Sequence, residues 1–330
     1  FFRQEVYGIE RPLHDLTSYF ESAAHGHETR RRILLLWGPP GGAKSTLATM
    51  LKRGLERWSR TEAGALYAIQ GCPMHEEPLH LIPGATGPDQ VDLRARVAEY
   101  TGAVVEGDLC PHCRFRLEHE FDGDFSRVPI ERLEVSEARR VGIGTFAPSD
   151  PKSMSMEQLT GGIDFRALER HGSDDDPRVL DWAGEFMKAN RGILELVEIF
   201  KNPREFLYSL LTLSQERQFK VGKFGFIDGD MVLCGHCNES EFRAFTGDPR
   251  NEALRDRLIT VSVPYNLRVS QEKRIYEKLL GQARGRFHVD PHALEAAATV
   301  SVLTRLAEHP NLPAVEKLRL YDGQETSGTW

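Results

Sequence analysis

The sequence of 330 residues has no apolar run near the roughly 20 residues that a membrane-spanning helix needs, so we expect no membrane partner. It has only five cysteines, too few for the disulfide framework of a secreted scaffold. The start lacks both an initiator Met and the charged-then-apolar pattern of a signal peptide. We therefore expect a cytoplasmic protein, and a chain that is part of a longer one.

The sequence also lacks an excess of positive charge. Its formal net charge is −7, and 28% of its residues are charged, which is ordinary for a soluble protein. This balance makes nucleic acid an unlikely partner, because nucleic-acid-binding domains usually carry a basic surface. There are no internal repeats and no low-complexity segments. The length is sufficient for one large domain and a smaller one.

A glycine-rich segment stands between an apolar run, 33–37, and a helical pattern of Leu47, Met50, Leu51, Leu55 and Trp58. This order predicts a strand, a turn and a helix, the arrangement that binds nucleotide phosphates. The residues that we expect to contact the nucleotide are Gly38, Pro39, Pro40, Gly41, Gly42, Ala43, Lys44, Ser45 and Thr46.

The chemistry of this segment fits ATP with Mg²⁺. Backbone N–H groups of such a turn point at the phosphates, and the helix N-terminus adds partial positive charge. Lys44 would reach the β- and γ-phosphates, and the Ser45 hydroxyl would bind Mg²⁺. Ala43 departs from the motif, which has a glycine at that position.

An ATPase also needs a carboxylate on the metal side and a base that orients the attacking water. The acidic strand 189–198 offers Glu198 as the base, but Val197 occupies the position expected for the metal-side Asp. Strand side chains alternate, so Glu195 lies on the same face as Val197 and is our candidate for the magnesium side. The alternative is that Glu195 pairs with a neighbouring cation.

Two further polar positions complete the expected machinery. Asn238 follows an apolar strand, where open α/β sheets place ligands, and is a candidate sensor of the γ-phosphate. Arg257 precedes another strand and is our candidate for an arginine that completes a neighbouring subunit's site, with Arg255 as the second choice. The alternative for Arg257 is a surface ion pair with Asp256.

The order of elements predicts an α/β fold with a parallel sheet. Residues 1–30 form an amphipathic helical segment, and strands are expected at 192–199, 226–227 with 231–233, and 258–263. Between about 70 and 180 the sequence is rich in Pro, Gly, Asp and His, which predicts an irregular insertion. After Pro264 the pattern is helical.

With these residues in place, the chain resembles the PrkA-type serine protein kinase family, which carries an AAA+ ATPase domain. The matching motifs are spread over nearly the whole chain; besides the phosphate loop they include 5–8, 72–79, 110–113, 142–146, 189–192, 238–239, 251–257, 263–265 and 275–279. The resemblance implies an AAA+ P-loop core over 1–265, a helical lid over 266–330, assembly as a homo-oligomeric ring, and a region beyond residue 330. The stretch 303–306 also matches the family, which implies that Arg305 contacts the nucleotide from the lid; the alternative is that Arg305 is simply solvated at the surface.

The resemblance implies protein kinase activity, but the chain has neither a His-Arg-Asp catalytic loop nor an Asp-Phe-Gly motif. We therefore expect an ATPase module whose hydrolysis moves the lid. An ATP-driven protease or unfoldase motor acting on a protein substrate is one alternative. A nucleotide-occupied switch with little turnover is another, because of Val197.

The sequence contains two Cys-x-x-Cys pairs, Cys110 with Cys113 and Cys234 with Cys237, and both are candidate metal ligands. Four thiolates could bind zinc, and the first pair could be redox-active. We expect packed, reduced thiols, because about 120 residues separate the pairs and because Cys234 and Cys237 would point to opposite faces of a strand.

Overall fold

The fold is built around a parallel sheet whose central strand leads into the glycine-rich loop. The computed structural model describes residues 5–84, 92–147, 155–282 and 289–324. Within them, the main sheet has five strands in the order β4-β5-β8-β1-β9, all parallel. These strands are β1 (Ile33–Trp37), β4 (Ile143–Phe146), β5 (Gly192–Leu196), β8 (Met231–Cys237) and β9 (Leu258–Ser262).

Smaller hairpins and helices surround this sheet. Two antiparallel pairs are formed by β2 (Leu66–Ile69) with β3 (Ile130–Leu133) and by β6 (Gln218–Lys220) with β7 (Phe226–Asp228). The helices are α1 (Glu10–Ala24), α2 (Lys44–Ser59), α3 (Leu93–Thr101), α4 (Pro111–Glu120), α5 (Glu157–Thr160), α6 (Phe165–His171), α7 (Glu185–Ala189), α8 (Arg204–Glu216), α9 (Glu239–Gly247), α10 (Glu252–Arg255), α11 (Val269–Gln282), α12 (Pro291–Leu303) and α13 (Ala314–Tyr321). In the described ranges, no helix combines the length and the apolar character that crossing a membrane requires.

The sheet is covered on both faces, which is why its strands are apolar almost throughout. Ile33 and Leu35 of β1 lie in one buried cluster, whereas Leu34 and Leu36 lie in the other. Because side chains alternate along a strand, neighbouring residues enter opposite cores. This confirms the α/β fold with a parallel sheet, and strand β1 has the bounds that the apolar run predicts.

The segment 70–180 is more regular than expected. Its strand β4 belongs to the main sheet, where it pairs with β5 from Ile143 opposite Ile193 to Phe146 opposite Leu196. Helices α3 and α4 lie between β2 and β3 of the first hairpin. The expected strand at 226–227 is also placed differently, since β7 pairs with β6 rather than with the main sheet.

A small helical unit follows the last strand. Helices α11, α12 and α13 pack around Val269, Ala298 and Val302, with Tyr276 and Leu306 partly buried against them. Its apolar core is small, so polar contacts contribute much of what holds these helices together. The helical character expected after Pro264 is present.

Candidate functional site

The loop between β1 and α2 is held tightly against the end of β9. The backbone N–H of Val263 donates to the carbonyl of Trp37 at 2.8 Å. A Cβ at Gly38 would lie 2.2 Å from the Val263 carbonyl oxygen, and one at Gly42 would lie 2.8 Å from the same atom. Glycine is therefore required at both positions for the backbone to approach this closely, as in a phosphate-binding turn.

Ala43 has a φ of 70°, in the left-handed region that the glycine of this motif normally occupies. It directly precedes α2, whose first residue is Lys44. A non-glycine residue in this conformation is strained by about 1–2 kcal/mol. The loop therefore keeps the conformation of the motif although the glycine is absent.

Lys44 crosses the loop. Its Nζ donates to the carbonyl oxygens of Gly38 at 2.8 Å and Pro39 at 2.7 Å. Burial lowers the pKa of Lys44. Ser45 and Thr46 are exposed at the start of the helix. The loop thus brings an ammonium group, two hydroxyl groups and a helix N-terminus together, which are the donors that bind phosphate and Mg²⁺.

A cavity of about 410 Å³ lies beside the loop and reaches the lid. Its volume is in the range of small-molecule sites. One wall is the loop and another is α11. The lining residues are Glu5, Val6, Tyr7, Ile9, Gly41, Gly42, Ala43, Lys44, Ser45, Thr46, Ile275, Lys278 and Leu279.

Glu198 and Asn238 lie at the edge of the sheet where β1 enters the loop. Leu196 of β5 is level with Gly235 of β8, which in turn is level with Leu35 of β1. Glu198 follows β5 and Asn238 follows β8, so both come at the carboxyl ends of their strands. This is the position that the sequence predicts for them.

The surroundings of Glu198 and Asn238 are polar and connected. Glu198 has a φ of 47°, and its carboxylate pairs with Lys201 at 2.8 Å. Lys201 also lies 3.5 Å from Glu241, whose carboxylate accepts from the backbone N–H of Asn238 at 3.1 Å. Left-handed backbone at a non-glycine residue concentrates at functional sites.

Glu195 lies away from the loop, in agreement with the alternative rather than with the magnesium role. Its carboxylate accepts from Lys52 Nζ at 2.7 Å and lies 3.3 Å from His236 Nε2. Glu195 pairs with Cys234 of β8, which in turn pairs with Leu34 of β1. Leu34 is four residues before Gly38, so Glu195 lies about 13 Å from the start of the loop along the strand direction. Burial opposes ionisation, but hydrogen bonds from His236 and Lys52 outweigh it and lower the pKa of Glu195.

Arg257 lies where the strands of the sheet begin, at the end opposite to the loop. The next residue, Leu258, pairs with Ile33 at the start of β1. The guanidinium of Arg257 contacts the side-chain amide of Gln215, whose oxygen accepts from Nε at 2.7 Å. Arg255, the second choice, is exposed. Neither arginine can reach the loop of its own chain.

Arg305 is engaged within the lid and does not line the cavity beside the loop. Its guanidinium makes two hydrogen bonds to the Glu272 carboxylate, at 2.8 and 2.9 Å, and one to the Asn266 carbonyl at 3.1 Å. It also stacks on the Tyr265 ring, with its central carbon 5.2 Å from the ring centre. Arg305 is therefore paired within the lid rather than simply solvated, and its contact with a nucleotide stays a prediction.

The four cysteines of the two pairs do not form one site. Cys234 and Cys237 lie in β8 and belong to the cores on its two sides, as their spacing predicts. Cys110 and Cys113 instead lie next to Cys72. Local sequence does not link Cys72 to this pair, because Cys72 precedes Cys110 by 38 residues and forms no Cys-x-x-Cys pair of its own.

Known proteins are similar to this chain over nearly its whole length. The family model described as the PrkA AAA domain matches residues 1–312. "ATP-dependent protease PrkA" from Bacillus subtilis (strain 168) is 47% identical over 99% of this chain and 52% of its own length. "Serine/threonine kinase YeaG" from Escherichia coli (strain K12) is 33% identical over 99% of this chain and 50% of its own. The chain thus spans about half the length of these curated relatives.

The chain is less similar to solved structures than to these two relatives. A complex of the magnesium chelatase subunits BchI and BchD has a TM-score of 0.47 and 18% identity, over 95% of this chain and 78% of that chain. NtrX from Brucella abortus in complex with ADP has a TM-score of 0.39 and 15% identity, over 94% and 56%. The family match and the two relatives confirm the resemblance drawn from the motifs: the chain belongs to the PrkA AAA domain family.

Proposed function

We propose that this chain is an ATPase module that binds ATP with Mg²⁺ at the loop between β1 and α2. The observation that carries the proposal is the position of Lys44 across a loop whose backbone requires glycine at Gly38 and Gly42. Glu198 and Asn238 follow strands at the same edge of the sheet. A phosphate-binding loop, a carboxylate and an amide at one edge are the parts that phosphoryl transfer to water needs.

The loop residues have distinct roles in this proposal. Lys44 leaves the carbonyls of Gly38 and Pro39 to pair with the β- and γ-phosphates, while the backbone N–H groups of the loop donate to phosphate oxygens. Ser45 is exposed at the start of α2 and would hold Mg²⁺ through its hydroxyl. The metal neutralises charge on the phosphate oxygens when it is bound.

Glu198 orients and deprotonates the attacking water, and Asn238 contacts the terminal phosphate. The ion pair with Lys201 holds the Glu198 carboxylate near the cap of α9, where Asn238 lies. Because Lys278 and Leu279 of α11 line the cavity beside the loop, loss of the terminal phosphate can change the contact between lid and core.

A second function, a nucleotide-occupied switch with little turnover, is favoured by the absence of a metal-side carboxylate. Val197 occupies that position, and Glu195 is committed to Lys52 and His236. Magnesium would then be held by Ser45, phosphate oxygens and water alone. Such a site binds nucleotide but stabilises the transition state less.

The output of the whole protein is a separate proposal. The relatives are named a protease in one case and a serine/threonine kinase in the other. Either activity could act on a protein substrate and use this module to couple ATP turnover to movement. Assembly as a ring would place Arg257 of one subunit near the site of its neighbour.

The test measures ATP hydrolysis and nucleotide binding by the purified chain beside Lys44→Ala and Glu198→Gln. We expect turnover by the parent chain, loss of binding in Lys44→Ala, and retained binding in Glu198→Gln with turnover lower by about 10²-fold or more. Arg243→Ala, which removes an exposed arginine of α9, is the control and should keep both properties.

Each outcome separates the candidates. Tight binding of ATP with no turnover at any protein concentration would favour the switch, and Val197→Asp would then be expected to raise turnover. Failure of the folded chain to bind ATP would overturn both functions, because each requires the loop to hold the phosphates.

A further inference from the structure

Three cysteine sulfurs and one carboxylate converge in the segment between β2 and β3. The candidate ligand atoms of Cys72, Glu76, Cys110 and Cys113 all lie within 4.8 Å of one another. The sulfurs of Cys72 and Cys110 are 4.0 Å apart, too far for a disulfide bond. All four residues are at least 97% buried. The cluster is remote in sequence from the phosphate loop and has no part in the proposed ATPase reaction.

Two different local structures hold the sulfurs. Cys72 lies in a turn just after β2, where the Glu76 N–H donates to its sulfur at 3.5 Å. Cys110 immediately precedes α4, and its sulfur accepts from the Cys113 N–H at 3.4 Å. Hydrogen bonds from backbone N–H groups and the positive end of a helix both stabilise thiolates. The sulfurs of Cys72 and Cys110 thus each accept a backbone N–H, the kind of hydrogen bond that a metal-bound thiolate can receive.

Glu76 is the fourth residue of the cluster. One of its carboxylate oxygens is held by hydrogen bonds, and the other lies towards the sulfurs. Its Oε1 accepts from the Cys110 N–H at 2.7 Å and lies 3.1 Å from His80 Nδ1. Its Oε2 lies 4.0 Å from the Cys72 sulfur. A carboxylate positioned by outer hydrogen bonds is common among metal ligands. His80 in turn contacts the Glu106 carbonyl through Nε2 at 2.8 Å, which fixes its ring.

We propose that Cys72, Cys110, Cys113 and Glu76 form a structural zinc site. Tetrahedral zinc with Zn–S bonds of about 2.3 Å places its sulfurs about 3.8 Å apart, close to the 4.0 Å between Cys72 and Cys110. Thiolate ligands select zinc over magnesium or calcium. Four protein ligands leave no open position, so the metal is structural rather than catalytic.

The site joins two parts of the chain that also meet through a hydrogen bond from Arg116 of α4 to the Gln70 carbonyl at 2.7 Å. It ties the turn after β2 to the first turn of α4, so that α4 is fixed against the β2–β3 hairpin. Zinc binding displaces the protons of the three thiols to solvent, and the metal stays divalent throughout. Because the ligand set exists only in the folded chain, the binding free energy adds to folding stability.

The first experiment measures zinc by elemental mass spectrometry in the chain purified from zinc-supplemented cells without chelators. We expect one zinc ion per chain, and its loss in Cys72→Ala and Cys113→Ala. The matched control is Cys234→Ala, a buried cysteine of β8 outside the cluster, which should keep the metal. Chelation should lower the melting temperature of the parent chain and of Cys234→Ala, but not of Cys113→Ala.

The second experiment uses X-ray absorption on the unmutated chain, so that it does not depend on any variant folding. We expect three sulfur neighbours at about 2.3 Å and one oxygen at about 2.0 Å. Glu76→Gln should weaken zinc affinity by about 10-fold or more, whereas His75→Gln should not. His75 is the test of the fourth ligand, because it stands three residues after Cys72.

Three results would overturn the proposal. Three free thiols without stoichiometric zinc would show packed cysteines only. A disulfide between any two of Cys72, Cys110 and Cys113, found by mass mapping under non-reducing conditions, would show a redox pair instead. Loss of zinc in His75→Gln with retention in Glu76→Gln would show that Glu76 is not the fourth ligand.

Discussion

At the scale of single residues, Glu195 carries a negative charge into a buried part of the sheet, where Lys52 and His236 face it. Lys52 comes from α2, two turns after Lys44, and also pairs with Glu137. The ion pair therefore ties the helix that begins at the phosphate loop to β5. We therefore expect Glu195 to position α2 rather than to bind the metal.

Replacing Glu195 by Gln should lower the free energy of unfolding by about 3 kcal/mol, because the buried Lys52 then keeps the half-exposed Glu137 as its charged partner but loses the buried one. The pKa of Glu195 is lowered in the folded chain, so its contribution is present above the ordinary glutamate pKa of about 4.3 and is lost as the pH falls below it. Denaturant unfolding of the nucleotide-free chain at several pH values measures both effects.

The Gln variant should lose less stability than the parent chain on acidification, since it has no carboxylate to protonate at this position. The double variant Lys52→Met, Glu195→Leu is the control and should recover much of the loss, because the charge it leaves without Lys52, Glu137, is half-exposed rather than buried. Unchanged stability of Glu195→Gln without nucleotide, together with weaker Mg²⁺-dependent binding of ATP, would restore the magnesium role.

At the scale of elements, the lid has a small apolar core, and a buried ion pair lies beside that core. Glu272 of α11 is buried, and Arg305 after α12 reaches both of its carboxylate oxygens. Arg305 also bonds the Asn266 carbonyl, just after β9. The pair therefore joins α11, α12 and the connection from the core.

Arg305→Met should loosen the lid even without nucleotide, because Glu272 would be buried without its partner. We expect hydrogen exchange in peptides from α11 and α12 to become at least about 10-fold faster, a change of about 1.4 kcal/mol in local opening. Arg319→Met, on an exposed face of α13, should leave exchange unchanged. Normal exchange with weaker ATP affinity in Arg305→Met would instead show that Arg305 contacts nucleotide.

The elements also show which features a sequence can predict. Strand β1, the loop and α2 are adjacent along the chain, so local pattern was sufficient to predict them and the place of Lys44. Strand β4 was missed because four residues surrounded by Pro, Gly and Asp carry little local signal. The partners of Glu195 and Cys72 are 143 and 38 residues away, and only the folded chain brings them together.

At the scale of the whole molecule, the two ends of the sheet carry different groups. The phosphate loop and Glu198 lie where the strands end, whereas Arg257 lies where β9 begins. The five residues of β9 span about 16 Å, so Arg257 is too far from its own loop to contact the phosphates. If Arg257 acts in hydrolysis, it must act on a second copy of the chain.

This geometry predicts complementation between two inactive variants. Arg257→Ala should lose about 10³-fold or more in turnover while still binding ATP, because an arginine supplied by a neighbour stabilises transition-state charge. Lys44→Ala should lose turnover because it does not bind ATP, yet it keeps Arg257. After subunit exchange, an equal mixture should recover activity at about a quarter of its sites, those that combine an intact loop with a neighbour's Arg257.

The mixture separates action between subunits from action within one. An arginine that served its own chain would leave the mixture as inactive as its parts, because no chain would then hold both groups. If Arg255→Ala rather than Arg257→Ala is inactive alone and recovers when mixed with Lys44→Ala, the role belongs to Arg255, which is exposed at the same edge. The recovered activity should rise with protein concentration at a fixed ratio of variants, since the composite site exists only in the assembly and dilution separates its two halves.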